Sequence, residues 1–366
     1  MSRDIAPPVA PDIHQVMLQL RLAEAIGWIV DQAELVGDNF EVSGWALSPT
    51  TRPEALRFLL NGRPFAEVNW PLPSPDVAAY FGQLPYAAQC RFTCRQPVVA
   101  AAEVFPDGYA CLSSVPPHGV HQRTYRKSQY VLNPALEPPV PDPARIMRVI
   151  ASDATSYRLG GASLAKRIDA YLAERFARPL ASFAAVLDWG CGSGRVTRHL
   201  VRLCGGAVTG IDIDPDNIGW CRAALPQAAF AVGPLQPPLP CDDAAFDLAI
   251  AISVFTHLDE ATQFRWLAEL RRVVRPGGIV LASIHGMAQM AFYKVPSQHV
   301  LDVNERGFLL SGQNDQLDAV IDDKAYYKNV TQSHDYVFEK WSEYFSVCEI
   351  VEGMAANQDL VVLMRR

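Results

Sequence analysis

The sequence predicts a doubly wound α/β domain preceded by a small β-sandwich, and three observations carry that expectation. Of the 28 prolines, 19 fall before residue 144, where the chain reads as short strands between turns. From residue 146 onward, strand-like and helix-like segments alternate, the pattern of a sheet wrapped on both faces by helices. Between the two lies NPALEPPVPDP, residues 133 to 143, whose five prolines cannot continue a sheet and favour an extended linker. A chain of 366 residues is long enough to build two cores.

In the first part, LQLRL at 18–22 alternates and FEVSGWAL at 40–47 has the look of a strand. RFLLNGRPFAEV at 57–68 sets Asn61-Gly62 between two apolar runs, a strong hairpin signal because a type I′ turn needs positive φ at both central residues. AAEVFPDGYACL at 101–112 reads as a second hairpin, turning at Asp107-Gly108. These strands are assigned to a sandwich over residues 1–124, followed by a linker over 125–145. Beyond it, residues 145–176 read as mostly helical. The strands expected next are AAVLDWG, AVTGIDI, AFAVGP, FDLAIAIS and GGIVLASI, separated by the helices VTRHLVRLC, DNIGWCRAAL and ATQFRWLAELRRVV. In such a sheet, ligands bind at the carboxyl ends of the strands.

Hydrophobic residues make up 49% of the chain and charged residues 19%, which excludes a disordered chain. The net charge of −7 is spread evenly, with no basic face or tail for nucleic acid or anionic lipid. MSRDIAPPVAPDIH lacks the apolar core of a signal peptide, and no apolar run approaches a membrane span, so a cytoplasmic protein is expected. The eight cysteines form no CxxC pair and no zinc-ligand spacing, so free thiols and no metal are expected. The sequon Asn329-Val330-Thr331 is then a chance match.

The chemistry concentrates in VLDWGCGSGR, residues 186 to 195. Placed between the first α/β strand and its helix, Gly190, Gly192 and Gly194 let a ligand approach the backbone more closely than any Cβ would permit. The spacing is GxGxG, whereas a dinucleotide fingerprint is GxGxxG and would need glycine at position 195, which here is Arg. Asp188 would repel a pyrophosphate but suits an ammonium. Asp212 ends the next strand 22 residues after Gly190, where a carboxylate can accept from both ribose hydroxyls. An ammonium and a ribose without phosphate describe S-adenosyl-L-methionine.

With GIDIDPDN, with LPCDDAAFDLAIAISVFTHL at 239–258 and with LRRVVRPGGIVLAS at 270–283, this loop resembles the class I S-adenosylmethionine-dependent methyltransferases over about residues 146–366. The resemblance implies a Rossmann-like seven-stranded sheet in the order 3-2-1-4-5-7-6, closed by the apolar strands at 345–353 and 358–366. It implies that Asp188, Gly190, Cys191, Gly192 and Gly194 line the methionine side of the cofactor and that Asp212 holds the ribose. Ile213 and Leu235 would flank the adenine, because Gly233-Pro234-Leu235 stands where the family often has an acid. Ser253, after the fourth strand, and Tyr157 and Arg158, ahead of the first, complete the expected cofactor set. A long insertion, here 286–340, commonly forms the acceptor pocket and its lid in this family.

Methyl transfer from a sulfonium is chiefly a matter of alignment and exclusion of water, and a base is needed only for a hydroxyl or protonated amine. Histidine is the usual base near neutral pH. His334, in the tyrosine-rich run YYKNVTQSHDYVFEKW, is the first candidate, although Ser333 or Asp335 there also reads as a helix cap. His285 follows the fifth strand, where substrate contact and a structural hydrogen bond are both open. His257 follows the fourth and also reads as a helix-start residue packed on the cofactor loop.

The expected activity is O-methylation of a saccharide or other small-molecule hydroxyl. The sugar class rests on VSGWAL, LLNGRP and SPDVAAYF, which resemble accessory modules beside bacterial glycosyltransferases and glycan-modifying enzymes. A carboxyl O-methyltransferase of a small acid or secondary metabolite is the alternative within the class. From other classes come a nicotinamide oxidoreductase and a non-catalytic binding protein, with homodimerisation left open.

Overall fold

The computed structural model describes residues 17, 27–47, 55–82, 84–115, 127–317 and 320–366. The first part holds eight strands: β1 (Trp28–Val36), β2 (Asn39–Ala46), β3 (Arg57–Leu60), β4 (Arg63–Pro64), β5 (Glu67–Pro73), β6 (Gln89–Pro97), β7 (Tyr109–Val115) and β8 (Gln129–Leu132). They make two four-stranded sheets, β1-β2-β6-β5 and β4-β3-β7-β8. Trp28, Phe40, Phe58 and Phe92 fill the core that these sheets share. The alternation in β2 is regular, every second residue being buried, as a strand with one core face requires.

Asn61 and Gly62 form the expected tight hairpin, with φ of 50° and 78° and Leu60 paired to Arg63. The second expected hairpin does not form. Ala101–Val104 is helical, Asp107 is left-handed at φ 54°, and β7 pairs with β3 and β8 instead. Ala-Ala-Glu favours helix over strand, and a helix there fills the end of the sandwich with Val104. LQLRL lies outside the described residues. Within the stretch expected as linker, β8 completes the second sheet and Pro143 opens a helix.

After α1 (Pro75–Phe81), the helices that matter to the site are α2 (Pro143–Ile150) and α3 (Ala154–Phe176). The single helical stretch expected here is broken at Ala151, left-handed at φ 50°, and restarted by the Asp153 side chain, which accepts from the Ser156 amide. Seven strands follow in one sheet: β9 (Ala185–Trp189), β10 (Ala207–Asp212), β11 (Ala229–Val232), β12 (Phe246–Ala251) and β13 (Val274–Ile284), then β16 (Ser346–Ala355) and β17 (Gln358–Met364). The spatial order is β11-β10-β9-β12-β13-β17-β16, the 3-2-1-4-5-7-6 arrangement expected, with β17 antiparallel to both neighbours. β12 is buried along its whole length, as a central parallel strand must be.

Helices α4 (Thr197–Leu203), α5 (Pro215–Ala224) and α6 (Glu260–Val273) flank the sheet. The insertion folds as α7 (Met287–Phe292), α8 (Ser297–Arg306), a hairpin of β14 (Phe308–Gln313) with β15 (Lys328–Gln332), and α9 (His334–Trp341). Ser333 caps α9 by accepting from the Tyr336 amide.

The two parts are joined by more than a linker. Leu47, Val77, Phe81 and Cys90 of the sandwich pack with Met290, Ala291, Val300 and Val303 of the insertion in one cluster. On another side, the Tyr130 amide donates to Ser163 Oγ, Arg167 Nε to the Ser128 carbonyl, and Tyr109 Oη meets His199 Nδ1 at 3.1 Å. The buried Arg198 holds the proline-rich stretch by donating to the carbonyls of Pro138 and Pro139. Among the described residues no helix is long and apolar enough to cross a membrane, and all eight cysteines are free thiols.

Candidate active site

The loop from β9 to α4 sits at the carboxyl edge of the sheet. Gly190, Gly192 and Gly194 all have positive φ, at 73°, 53° and 81°. They are also hemmed in: a Cβ on Gly190 would lie 2.4 Å from Val254, and one on Gly194 2.7 Å from Leu225.

A cavity opens over this loop, lined on the loop side by Asp188, Gly190, Cys191, Gly192 and Arg195. Asp212, Ile213, Gly233 and Pro234 form the wall beyond β10 and β11, with Ser253 and Val254 after β12. Leu317, Tyr326 and Tyr327, from the insertion, also line it. They belong to the stretch 286–340 expected as the acceptor pocket and its lid, and their place over the carboxyl edge depends on how the insertion folds back. Trp266, Arg148, Val149 and Asn217 are further lining residues that sequence reasoning missed.

Four of the loop amides are already engaged within the protein. Gly190 and Cys191 donate to the Ile211 carbonyl, Gly194 to the Cys191 carbonyl, and Gly192 to Asp212 Oδ2 at 2.8 Å. Asp212 Oδ1 accepts from the Asp214 amide. Each oxygen of the Asp212 carboxylate keeps a lone pair for an outside donor. Asp188 Oδ2 accepts from Thr197 Oγ1. Burial pushes both carboxyls, Asp188 and Asp212, up to about 6. The Cys191 thiol is held well above its ordinary value by its hydrogen bond with Cys221 and by burial, so it is a packing group and not a nucleophile.

Not every expected cofactor residue reaches the cavity. Gly194 supports the turn from beneath. Leu235 contributes only its carbonyl, which accepts from Tyr326 Oη and ties the insertion over the β11 end of the cavity. Tyr157 is buried with its hydroxyl donating to the Ser193 carbonyl. Arg158 faces a separate cavity between β1, β8 and α3.

The three histidines have different surroundings. His257 Nδ1 is 3.0 Å from the Lys328 carbonyl and His285 Nδ1 is 3.1 Å from that of Val330. A carbonyl only accepts, so both rings carry their proton on Nδ1 and leave Nε2 as a bare acceptor. The rings face edge to face 5.6 Å apart. Burial pulls His257 down to about 3, helped by His285, and His285 down to about 4. Tyr327 lines the cavity and stacks on His257, so this pair stands directly behind the cavity wall. The neighbouring Gln332, wholly buried, has no hydrogen-bond partner for either amide atom. His334 is not with them: its Nε2 is 2.8 Å from Asp359 Oδ2 and its Nδ1 3.9 Å from Glu352 Oε1.

Residues 186–278 match the family model of the methyltransferase domain. Among curated relatives, the chain is 32% identical over 109 residues to an uncharacterised methyltransferase of Synechocystis, covering 30% of this chain and 50% of that protein. It is 32% identical over 148 residues to the ubiquinone biosynthesis O-methyltransferase of Methylocella silvestris, covering 38% and 56%. The chain thus spans about half or less of the relatives' length. Among solved structures, the Burkholderia thailandensis 1,6-didemethyltoxoflavin-N1-methyltransferase is 18% identical with a TM-score of 0.39, over 67% of this chain and 98% of that one.

Proposed function

We propose that the chain is an S-adenosylmethionine-dependent methyltransferase that methylates a hydroxyl of a small molecule, a saccharide being the favoured class. The observation that carries the cofactor reading is the combination of a glycine loop in which the amides of Gly190, Cys191, Gly192 and Gly194 are engaged internally with two carboxylates, the buried Asp188 and the half-buried Asp212, that face one cavity. A pyrophosphate needs free amide donors and would be repelled by both acids, which argues against a nicotinamide dinucleotide. A ribose finds acceptors on Asp212, and an ammonium finds Asp188.

When bound, S-adenosylmethionine supplies a methyl group activated by a sulfonium. The protein's own part is to hold and to exclude. Gly190 and Gly192 allow close approach, Ile213 and Pro234 offer apolar flanks, and Tyr326, Tyr327 and Leu317 cover the cavity against water. His257 and His285, behind the wall that Tyr327 forms, hold unprotonated Nε2 atoms, which would accept from a hydroxyl reaching past that wall and would repel a carboxylate. This favours hydroxyl over carboxyl acceptors. The sugar class rests on the resemblance of the sandwich to glycan-enzyme accessory modules. In this reading residues 1–124 are the accessory domain, 125–145 the connection, and 286–340 the acceptor cover of a domain spanning 146–366.

Titration with S-adenosylmethionine and with NAD tests the cofactor; binding of NAD alone would overturn it. Mass spectrometry of extracts incubated with isotopically labelled cofactor identifies the acceptor. Mild alkali then releases the label from a methyl ester but not from an ether, so a base-labile product would replace the hydroxyl reading with the carboxyl one.

A further inference from the structure

Among the described residues that line the cavity, Ser253 is the one with a side chain and a left-handed backbone, at φ 59°. Elsewhere such a backbone marks a hairpin turn or a helix end, as at Asn61 and Ala151; Ser253 instead follows the wholly buried strand β12 by two residues. A residue with a Cβ is strained there and stays only where its surroundings hold it. What holds Ser253 is a closed set of side chains from β13 and β17. Its amide donates to Ser283 Oγ at 2.7 Å, Ser283 Oγ donates to Gln358 Oε1 at 2.7 Å, and Gln358 Nε2 donates to Ser253 Oγ at 2.9 Å. Ser253 Oγ also donates to Gln358 Oε1, at 3.1 Å.

We propose that Gln358 is a positioning residue of the active site, holding Ser253 and Val254 in the left-handed turn that shapes one wall of the cofactor cavity. The inference rests on the cofactor reading above and gives β17 a task besides closing the sheet. Gln358 does not line the cavity itself and acts through Ser253, 105 residues away in the chain. Ser253 runs directly into Val254, whose Cγ2 occupies the space beside Gly190 where a Cβ would stand, so the turn at Ser253 sets where this wall meets the glycine loop. Glutamine suits the position because the oxygen of its amide accepts from two hydroxyls while the nitrogen donates to one. Ser283 is wholly buried, and removing Gln358 would take away the acceptor its hydroxyl now uses.

The test measures S-adenosylhomocysteine affinity by calorimetry on full-length variants. Gln358→Ala is expected to weaken binding about 5- to 10-fold, as for loss of a hydrogen-bonded partner. Glycine adopts the left-handed backbone without strain, so in a Ser253→Gly background Gln358→Ala should weaken binding by less than about twofold further. Ser253→Ala keeps the Cβ but loses the tie to Gln358, and should bind more weakly than Ser253→Gly. Gln358→Glu, which still accepts from both hydroxyls, should retain more affinity than Gln358→Ala. Wild-type affinity in Gln358→Ala overturns the proposal, and so does an equal loss in the two backgrounds, which would mean that Gln358 supports the fold without acting through Ser253. If Gln358→Ala does not fold, the comparison at position 253 decides, and an alanine variant that binds as well as the glycine variant overturns the proposal. A folded wild-type chain that does not bind S-adenosylhomocysteine would bring down the cofactor reading itself and this proposal with it.

Discussion

The ring of Tyr327 stacks on that of His257, with centroids 4.2 Å apart and planes 25° from parallel. Tyr327 lines the cavity, whereas His257 belongs to the turn after β12, so this contact fastens the insertion to the carboxyl edge of the sheet. Tyr327→Phe keeps the stack and should leave the affinity for S-adenosylhomocysteine unchanged. Tyr327→Ala removes a half-buried aromatic together with its stack, and should lower both the melting temperature and the affinity. His257→Ala should likewise disturb cofactor binding as well as rate. Calorimetry and thermal unfolding on the three variants check this, and an alanine variant with full affinity would detach Tyr327 from the site.

Asp188 carries a second prediction, in which stability and binding move in opposite directions. Its carboxyl lies at about 6 when folded against an ordinary 3.8, so ionisation above pH 6 works against the fold. That opposition amounts to about 3 kcal/mol at most and vanishes as pH falls through the interval from 6 to 3.8. Asp188→Asn should therefore unfold at higher denaturant than wild type at pH 8, with the gap closing toward pH 4. The same substitution should weaken S-adenosylhomocysteine at pH 8. A variant less stable at pH 8 would show that the Thr197 hydrogen bond outweighs the buried charge.

How far the sequence reached can be judged from these residues. The GxGxG loop, Asp188 and Asp212 were legible because a tight strand-to-helix turn with acids at its two strand ends is a local pattern. Strand order followed from the resemblance and agrees with the sheet. What could not be read was anything made by the insertion folding back: Tyr326 and Tyr327 reach the cavity only through the β14–β15 hairpin. Arg158 and Arg195 illustrate the same limit. Both lie near the glycine loop in sequence or in space, but the turn of α3 sends Arg158 to the sandwich side. The Asp107-Gly108 hairpin failed because local helix propensity upstream and pairing partners elsewhere outweighed the turn signal.

The histidine pair changes the pH dependence expected of a hydroxyl-methylating enzyme. An ordinary histidine base would cost rate below about pH 6.5. Burial lowers His257 to about 3 and His285 to about 4, so both stay in the accepting form throughout the mildly acidic range. The turnover profile should be flat with respect to these groups from pH 8 to pH 5, and any loss from them should appear only near pH 4. His285→Ala should lower turnover roughly 10²-fold or more with cofactor affinity unchanged. His334→Ala should act mainly on stability, since its ring is occupied by Asp359. A turnover inflection near 6.5 that disappears in His285→Ala would contradict the buried, neutral state of that ring.

The last prediction concerns whether the α/β part can stand alone. The proline-rich stretch by itself suggests an independent unit starting near Pro143, with few contacts across the boundary. The shared clusters argue otherwise. Removing the sandwich would uncover Met290, Ala291, Val300 and Val303, which are at most 6% exposed in the full chain. It would also take away Tyr109 and Leu132, which pack on Ala162 of α3, and the carbonyls that Arg198 and Arg167 now satisfy. Each large apolar side chain returned to water costs about 1.5–3 kcal/mol, against a total stability of about 5–15 kcal/mol for a typical protein. A chain beginning at Pro143 should therefore aggregate or unfold at a markedly lower temperature, and should lose cofactor affinity because α3, whose Tyr157 donates to the Ser193 carbonyl of the glycine loop, loses part of its packing. Size-exclusion chromatography and calorimetry on that truncated chain decide the matter: a monodisperse species that binds S-adenosylhomocysteine as the full chain does would show that the sandwich is an appendage and that the shared clusters contribute little.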